Sequence, residues 1–370
     1  TDEVLFLSDR SGDWDLWGVR VEDGQISEDP VALKRGVGNI EALGFTDAGS
    51  MVFYLYTLRR AAFVAPFDGE TGQIDTDRGE PLLGSISRAA WSPSGRHLAL
   101  VRQETGPGGP GWLESSLFLR EPGTGEERAL APRLDPLVPR WFPGGNSILV
   151  AAREKDRPTP TGWGLYRIDV STGKAFPLLE PESDPQAMVG GVPTGGGNSF
   201  VYARDGRLVF RDGWSGEDAV LHEESGLATN LFAISPDGAE VAFAVNDHHT
   251  ERQGVLVGTG KFMVVPLSGG EARVLTTVQG PGSVYCMQWT PDGRHLLFLQ
   301  RQPEGREGAA LWRVTAEGGE AELIWQTEDP VLWFALSPDG TQVVYDTSEV
   351  AFEVWVMENL VEALREGEGR

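Results

Sequence analysis

Two kinds of tight turn recur along this chain, interleaved and with one shared period, and no other feature narrows the possible folds as far. The first is a tetrad: Ser92-Pro93-Ser94-Gly95, Phe142-Pro143-Gly144-Gly145, Ser235-Pro236-Asp237-Gly238, Thr290-Pro291-Asp292-Gly293 and Ser337-Pro338-Asp339-Gly340. Degenerate copies stand at Thr46-Asp47-Ala48-Gly49 and Thr194-Gly195-Gly196-Gly197. The final glycines lie 46, 50, 52, 41, 55 and 47 residues apart. Proline pre-sets the first corner of such a turn, Asp or Ser suits the next, and glycine takes the left-handed conformation that closes a hairpin. The second series runs from Glu22-Asp23-Gly24-Gln25 through turns centred on Gly72, Gly125, Gly173, Gly216 and Gly270 to Glu317-Gly318-Gly319-Glu320. Its glycines step by 48, 53, 48, 43, 54 and 49 residues.

Between the turns lie strand-sized apolar runs such as 295–299, 311–314 and 321–325. Each module is therefore a four-stranded meander, and a sheet this small buries both faces only by stacking on its neighbours in a ring. The fold class is all-β: a single β-propeller of four-stranded antiparallel blades. Eight blades are favoured, with incomplete first and last blades meeting at the closure, and seven are the alternative. The propeller is expected over 1–357, followed by a tail at 358–370 that reads either as a short amphipathic helix, with Leu360, Val361 and Leu364 on one face, or as a frayed end. A tryptophan precedes several tetrads (Trp91, Trp141, Trp289), where it is expected to pack between sheets.

The motif Trp-Ser/Thr-Pro-Asp/Ser-Gly at 91–95 and 289–293, with Leu336 replacing Trp in the copy at 336–340, resembles the TolB-type, WD-repeat-like propeller repeat. The hairpin from Ser8 to Trp17 is similar to one in the same family, and the propellers of dipeptidyl peptidases and tricorn-type proteases look similar too. The resemblance covers essentially the whole chain. It implies a docking platform, a protease gate or, in some members, an enzyme; a fold of this kind does not select among them. No Gly-x-Ser-x-Gly nucleophile elbow is present, since Gly213-Trp214-Ser215-Gly216 falls in a turn, and peptidase activity is not expected.

Charge excludes one class of partner. With 55 acidic against 31 basic residues the net charge is -24, and such a chain repels a phosphate backbone, so nucleic acid is not expected. No apolar run is long enough to span a membrane as a helix. The lone Cys286 sits in an apolar run and reads as a buried, inert thiol. The chain opens on Thr1, and with the family resemblance this suggests an extracytoplasmic protein, periplasmic or secreted, with a cytoplasmic one as the alternative.

Function in a propeller sits on loops that break the period. The long connections at 103–115, 154–163, 247–261 and 301–309 belong to one face, which is the expected partner surface together with the central channel. Candidate contacts there are Trp112, Trp163, His248, His249 and Arg301. Asp247, His248, His249 and Glu251 are weak metal candidates, because a site needs about four ligands of defined geometry and no second histidine cluster supports them; no cofactor is expected. His97 and His295 occupy equivalent positions and belong to the repeat, and His222 has no local partner in sequence. Arg102, Arg153, Arg204 and Arg301 recur after the second strand of a module, either ringing the channel or pairing with acids on adjacent blades. The function read from these residues is a non-catalytic scaffold for a protein or peptide partner. The alternative is a propeller enzyme, a lyase or hydrolase acting on a sugar or peptide at the channel mouth.

Overall fold

The tetrads fold as their residue types require. The computed structural model describes residues 2–12, 14–38, 40–47, 49–105, 113–155, 162–181, 189–195, 197–252, 255–279, 284–301 and 308–358. In each of the five well-formed tetrads the glycine N–H donates to the carbonyl three residues earlier, at 2.8 to 2.9 Å. The glycine φ values fall between +70° and +72°, a region open to glycine and strained for other residues. The opening hydroxyls of Ser92, Ser235, Thr290 and Ser337 accept the N–H five residues later, at 2.9 to 3.1 Å. Three of them also donate to the tetrad aspartate: Ser235 to Asp237, Thr290 to Asp292 and Ser337 to Asp339.

These turns join antiparallel strands. The described residues form seven sheets, six of four strands and one of five. The chain falls into two compact units, one of residues 1–59, 104–114 and 349–370, the other of 60–103 and 115–348. The all-β propeller of four-stranded blades expected from the repeat is present, and two of the modules counted along the sequence share one sheet. That sharing has a plain cause: Met51–Pro66 and Gln342–Met357 are 16-residue strands that run on where separate short strands were expected. They are neighbours in the five-stranded sheet, and the Phe67 N–H donates to the Thr341 carbonyl at 2.8 Å where they meet.

Within the second unit six sheets close into a ring. The first strands of successive sheets are Ile86–Trp91, Leu134–Trp141, Gly190–Pro193, Leu227–Ile234, Val284–Trp289 and Val331–Leu336. Each touches its counterpart in the next sheet, and the last touches the first. Six apolar cores lie between consecutive sheets. Ile148 and Val150 meet Leu117 and Leu130 in one; Phe262 and Phe298 meet in another, edge to face at 4.8 Å. The core at the closure joins Ala335 and Val344 to Ile86, Leu98 and Leu100. The second strands are buried on both faces (98–101, 148–152, 241–245, 296–299), which is why they read as unbroken apolar runs.

The contacts between neighbouring tetrads follow the same circle. A β-carbon on Gly340 would lie 3.4 Å from Pro291, on Gly293 3.7 Å from Pro236, on Gly145 3.9 Å from Pro93 and on Gly95 3.9 Å from Pro338. The last pair crosses the closure. The first unit has its own small core, in which Leu16, Ile40, Met51 and Phe53 are buried. Its Asp15 is buried, accepting from the Ser11 hydroxyl and the Gly36 N–H. The tail expected from 358 onward lies outside the described residues beyond Glu358.

Two outcomes follow from this geometry. At Gly190 a β-carbon would lie 2.2 Å from the Thr229 carbonyl of the neighbouring sheet, whereas at Gly195 it would meet nothing within 4 Å. Gly190→Ala is expected to destabilise the chain by about 2–3 kcal/mol through overpacking, and Gly195→Ala by less than about 0.5 kcal/mol, as measured by chemical denaturation. The second outcome concerns acid. The hydroxyls of Ser235, Thr290 and Ser337, foremost among the causes, hold Asp237, Asp292 and Asp339 below their ordinary 3.8. A carboxyl depressed in the folded state contributes stability that is complete above its unfolded pKa and is lost as pH falls through the folded one. The triple variant D237N/D292N/D339N should therefore show a smaller fall in Tm between about pH 5 and pH 3 than the parent chain.

Candidate functional site

The six first strands surround an axial channel that widens into two cavities. One, of about 520 Å³, opens on the tetrad side, where Pro93, Pro143, Pro236, Pro291 and Pro338 form its rim with Trp91 and Trp141 beside them. The other, of about 200 Å³, lies toward the opposite side and is lined by Arg60, Arg88 and Arg140 together with Ser87, Gln103 and Asn230. Arg140 lines both cavities and so marks the waist.

Each arginine at the waist reaches it from a different strand position. Arg88 stands three residues before Trp91, and Arg140 immediately before Trp141. Arg60 comes from the long strand Met51–Pro66. Arg88 lies 3.5 Å from Asp346, and its guanidinium also donates to its neighbour's carbonyl, on Ser87, at 2.6 Å. Both Arg88 and Arg140 lie over the Trp333 ring, at 5.4 and 5.9 Å from its centroid. Asp346 is 1% exposed, and burial raises its carboxyl to about 6 against the opposing pull of Arg88, the Leu332 N–H and Arg60. Arg140 keeps some surface in contact with the channel, yet protein surrounds it closely enough that desolvation lowers its pKa to about 10. It remains a cation at neutral pH.

Cys286 lies near this waist, 2% exposed, with burial pushing its thiol up to about 12. The expectation of an inert buried thiol is met by that environment.

The residues singled out from sequence on the long-loop face fall in several places. Trp163 is half-buried against the core between the second and third sheets, with the Arg153 guanidinium 5.0 Å from its ring centroid. Arg153 in turn pairs with Asp135 at 2.8 Å, and Arg102 with Glu127. Those two recurring arginines pair with acids of their own sheet, not with acids of an adjacent blade as expected. Arg301 is exposed at the end of His295–Arg301. Trp112 lies outside the described residues. His248 and His249 pair through their backbones with Thr259 and Gly258 in a long hairpin; their side chains, and those of Asp247 and Glu251, are outside the described ones. Among the described residues no cluster of three or more His, Cys, Asp or Glu side chains is grouped to hold a metal.

Two arrangements were not legible beforehand. His222, given no partner by sequence, has its Nε2 2.9 Å from Glu224, which also accepts from Lys261 Nζ at 2.7 Å. Lys261 is the leading reason that the Glu224 carboxyl is depressed. The channel arginines were missed because Arg88 and Arg140 stand at unlike registers before their tryptophans, so no period points to them. Their one sequence signal is an arginine in a first strand close before its tryptophan, where the neighbouring residues are mostly apolar.

No family model matches this sequence, and no curated protein matches it. Solved structures do. The fold is similar to that of TolB from Acinetobacter baumannii, with a TM-score of 0.50 and 17% identity over 96% of this chain and 82% of that one. It is also similar to a chain in a nidogen/laminin complex, with a TM-score of 0.50 and 10% identity over 78% of this chain and 98% of that one. At such identities the likeness is one of fold: this chain, like TolB, is a β-propeller. No helix among the described residues is long and apolar enough to cross a membrane.

The thiol supplies a direct check. In the native chain Cys286 should release no chromophore from a disulfide reagent at about pH 8, and one equivalent after denaturation. Rapid reaction of the native chain would place the thiol at the channel surface instead.

Proposed function

We propose that this chain is a propeller scaffold that binds a protein or peptide partner, with the tetrad-side mouth of the channel as the main contact. The observation that supports this most is the mouth itself: a cavity of about 520 Å³ framed by prolines and tryptophans on a closed ring. Such a rim offers large, rigid apolar surface that loses little side-chain entropy on binding, and the surrounding tetrads are tied by repeated hydrogen bonds. A preformed concave site of mixed apolar and polar character is the usual form of a ligand site. The fold likeness to TolB and to a chain of a nidogen/laminin complex is consistent with a platform of this kind. Trp163, Arg301 and the hairpin bearing His248 and His249 stand on the long-loop side as a second proposed contact. An extracytoplasmic setting belongs to the same proposal, with TolB as its support; fractionation of native cells that finds only a cytosolic pool would overturn it.

Gly195 gives the test. It lies at the mouth, its β-carbon direction is open, and its backbone is not in the left-handed region. Gly195→Arg should obstruct the mouth while leaving Tm within a few degrees of the parent. Capture of the native partner should fall at least tenfold on this variant and stay unchanged on Trp163→Ala. Undiminished capture on Gly195→Arg would remove the channel mouth from the reading, and loss on Trp163→Ala alone would move the contact to the long-loop face.

A further inference from the structure

The waist arginines present a charge imbalance that the fold itself does not require. The net charge of the chain is -24, yet the lining of the smaller cavity holds three arginines, Arg60, Arg88 and Arg140, and no carboxylate. The nearby Asp346 is buried and approaches Arg88 at 3.5 Å, outside the lining of the cavity. The Arg140 guanidinium makes no hydrogen bond or ion pair with any described residue; it lies against the face of the Trp333 ring. Buried guanidinium groups are ordinarily paired, because an uncompensated buried charge is strongly unfavourable. A ring built only for stability would place an apolar residue at this position.

We propose that the channel waist is a carboxylate-binding site, in which Arg140 with Arg88 and Arg60 takes a carboxylate attached to a short apolar group. Guanidinium is suited to this partner: its planar fork meets the two carboxylate oxygens with two parallel N–H donors. With Trp333 against the face of Arg140, the donor edge of the guanidinium stays available to a ligand. The other walls fit the rest of the ligand. Leu137, Val138 and Phe232 supply apolar surface, while Asn230 supplies polar atoms. Gly190 and Gly191 have no side chains to fill the space. A volume of about 200 Å³ admits the end of a chain and not a folded domain. Two sources offer this chemistry: the C-terminal residue of a peptide threaded from the wide mouth, or a free organic acid. The peptide source rests on the scaffold reading above, and the free acid does not.

Isothermal titration of the full chain separates these cases. The probes are acetyl-Ala-Leu with a free carboxylate, the same dipeptide as its C-terminal amide, and hexanoate. Binding of the free-acid dipeptide is expected at least tenfold tighter than binding of the amide. Arg140→Gln is expected to abolish that difference, and Arg140→Lys to retain part of it, since lysine keeps the charge without the fork. Because the Arg140 guanidinium has no hydrogen-bonding or ionic partner among the described residues, Arg140→Gln is expected to match or exceed the parent in Tm without ligand. The acid-to-amide comparison stands on the parent chain alone if the variant fails to fold. Equal binding of acid and amide, or full retention in Arg140→Gln, would overturn the site while leaving a peptide scaffold intact. Hexanoate bound with neither dipeptide, and lost in Arg140→Gln, would sustain the site and remove the peptide from it.

Discussion

The hydrogen bond from the Trp333 indole to the Ala89 carbonyl, 2.8 Å long, joins the last sheet of the ring to the first, and the rest of the ring depends on contacts of its kind. First strands of adjacent sheets stand beside one another around an axis and do not pair through their backbones, so their inward polar groups need other partners. Side chains supply them. Trp141 donates to Ala90 at 3.0 Å and Trp289 to Ala233 at 3.2 Å, and the Leu336 N–H donates to the side chain of Gln288 at 3.0 Å. Leaving such a buried group unpaired costs about 1–3 kcal/mol. The same tryptophans fill the angle between sheets, so one residue type serves both packing and polar satisfaction.

Closure also settles how the chain ends are used. The sheet at the closure takes Val331–Leu336 and the first half of Gln342–Met357 from one end of the ring, and the second half of Met51–Pro66 with Glu80–Leu82 from the other. The entropy of bringing distant segments together rises only by about 0.6 kcal/mol per doubling of loop length. Burying Ile86, Leu98 and Leu100 against Ala335 and Val344 is the larger effect, since removing one such side chain to alanine typically loses 2–5 kcal/mol. A closure that mixes the two ends is therefore favourable, and the ring is left with only the short edges of its individual blades.

The repeat was legible because its physics is local. Pro93, Asp237 or Gly293 declare a turn by their own backbone preferences, and runs such as 296–299 declare a strand buried on both faces. The period then implies stacking. Blade accounting was less legible, because Met51–Pro66 and Gln342–Met357 run on where two short strands and a loop were expected. Strand continuation there is decided by pairing with a distant partner, which no local propensity encodes. The same limit applies to Glu224 beside His222, whose partner Lys261 lies on a strand of another sheet. It applies equally to Arg102 and Arg153, whose sequence equivalence to Arg301 is not matched by their pairing.

The asymmetry at the axis has a related origin. A residue that recurs at one register in every module is bound to the common task of turning, stacking or filling, as His97 and His295 are. A ring of identical modules would present a symmetric channel lined by the same side chain six times over. Arg88 and Arg140 break that symmetry from unlike registers, and Gly190 with Gly191 breaks it again by omitting side chains from the wall on the next sheet. The charge is affordable only because the scaffold around it is over-determined by its cores and cross-sheet hydrogen bonds. Desolvation that lowers Arg140 to about 10 is strain held in place by neighbours that have no reason of their own to move. In a fold whose stability comes from repetition, chemical selectivity has to come from the positions where the repetition fails.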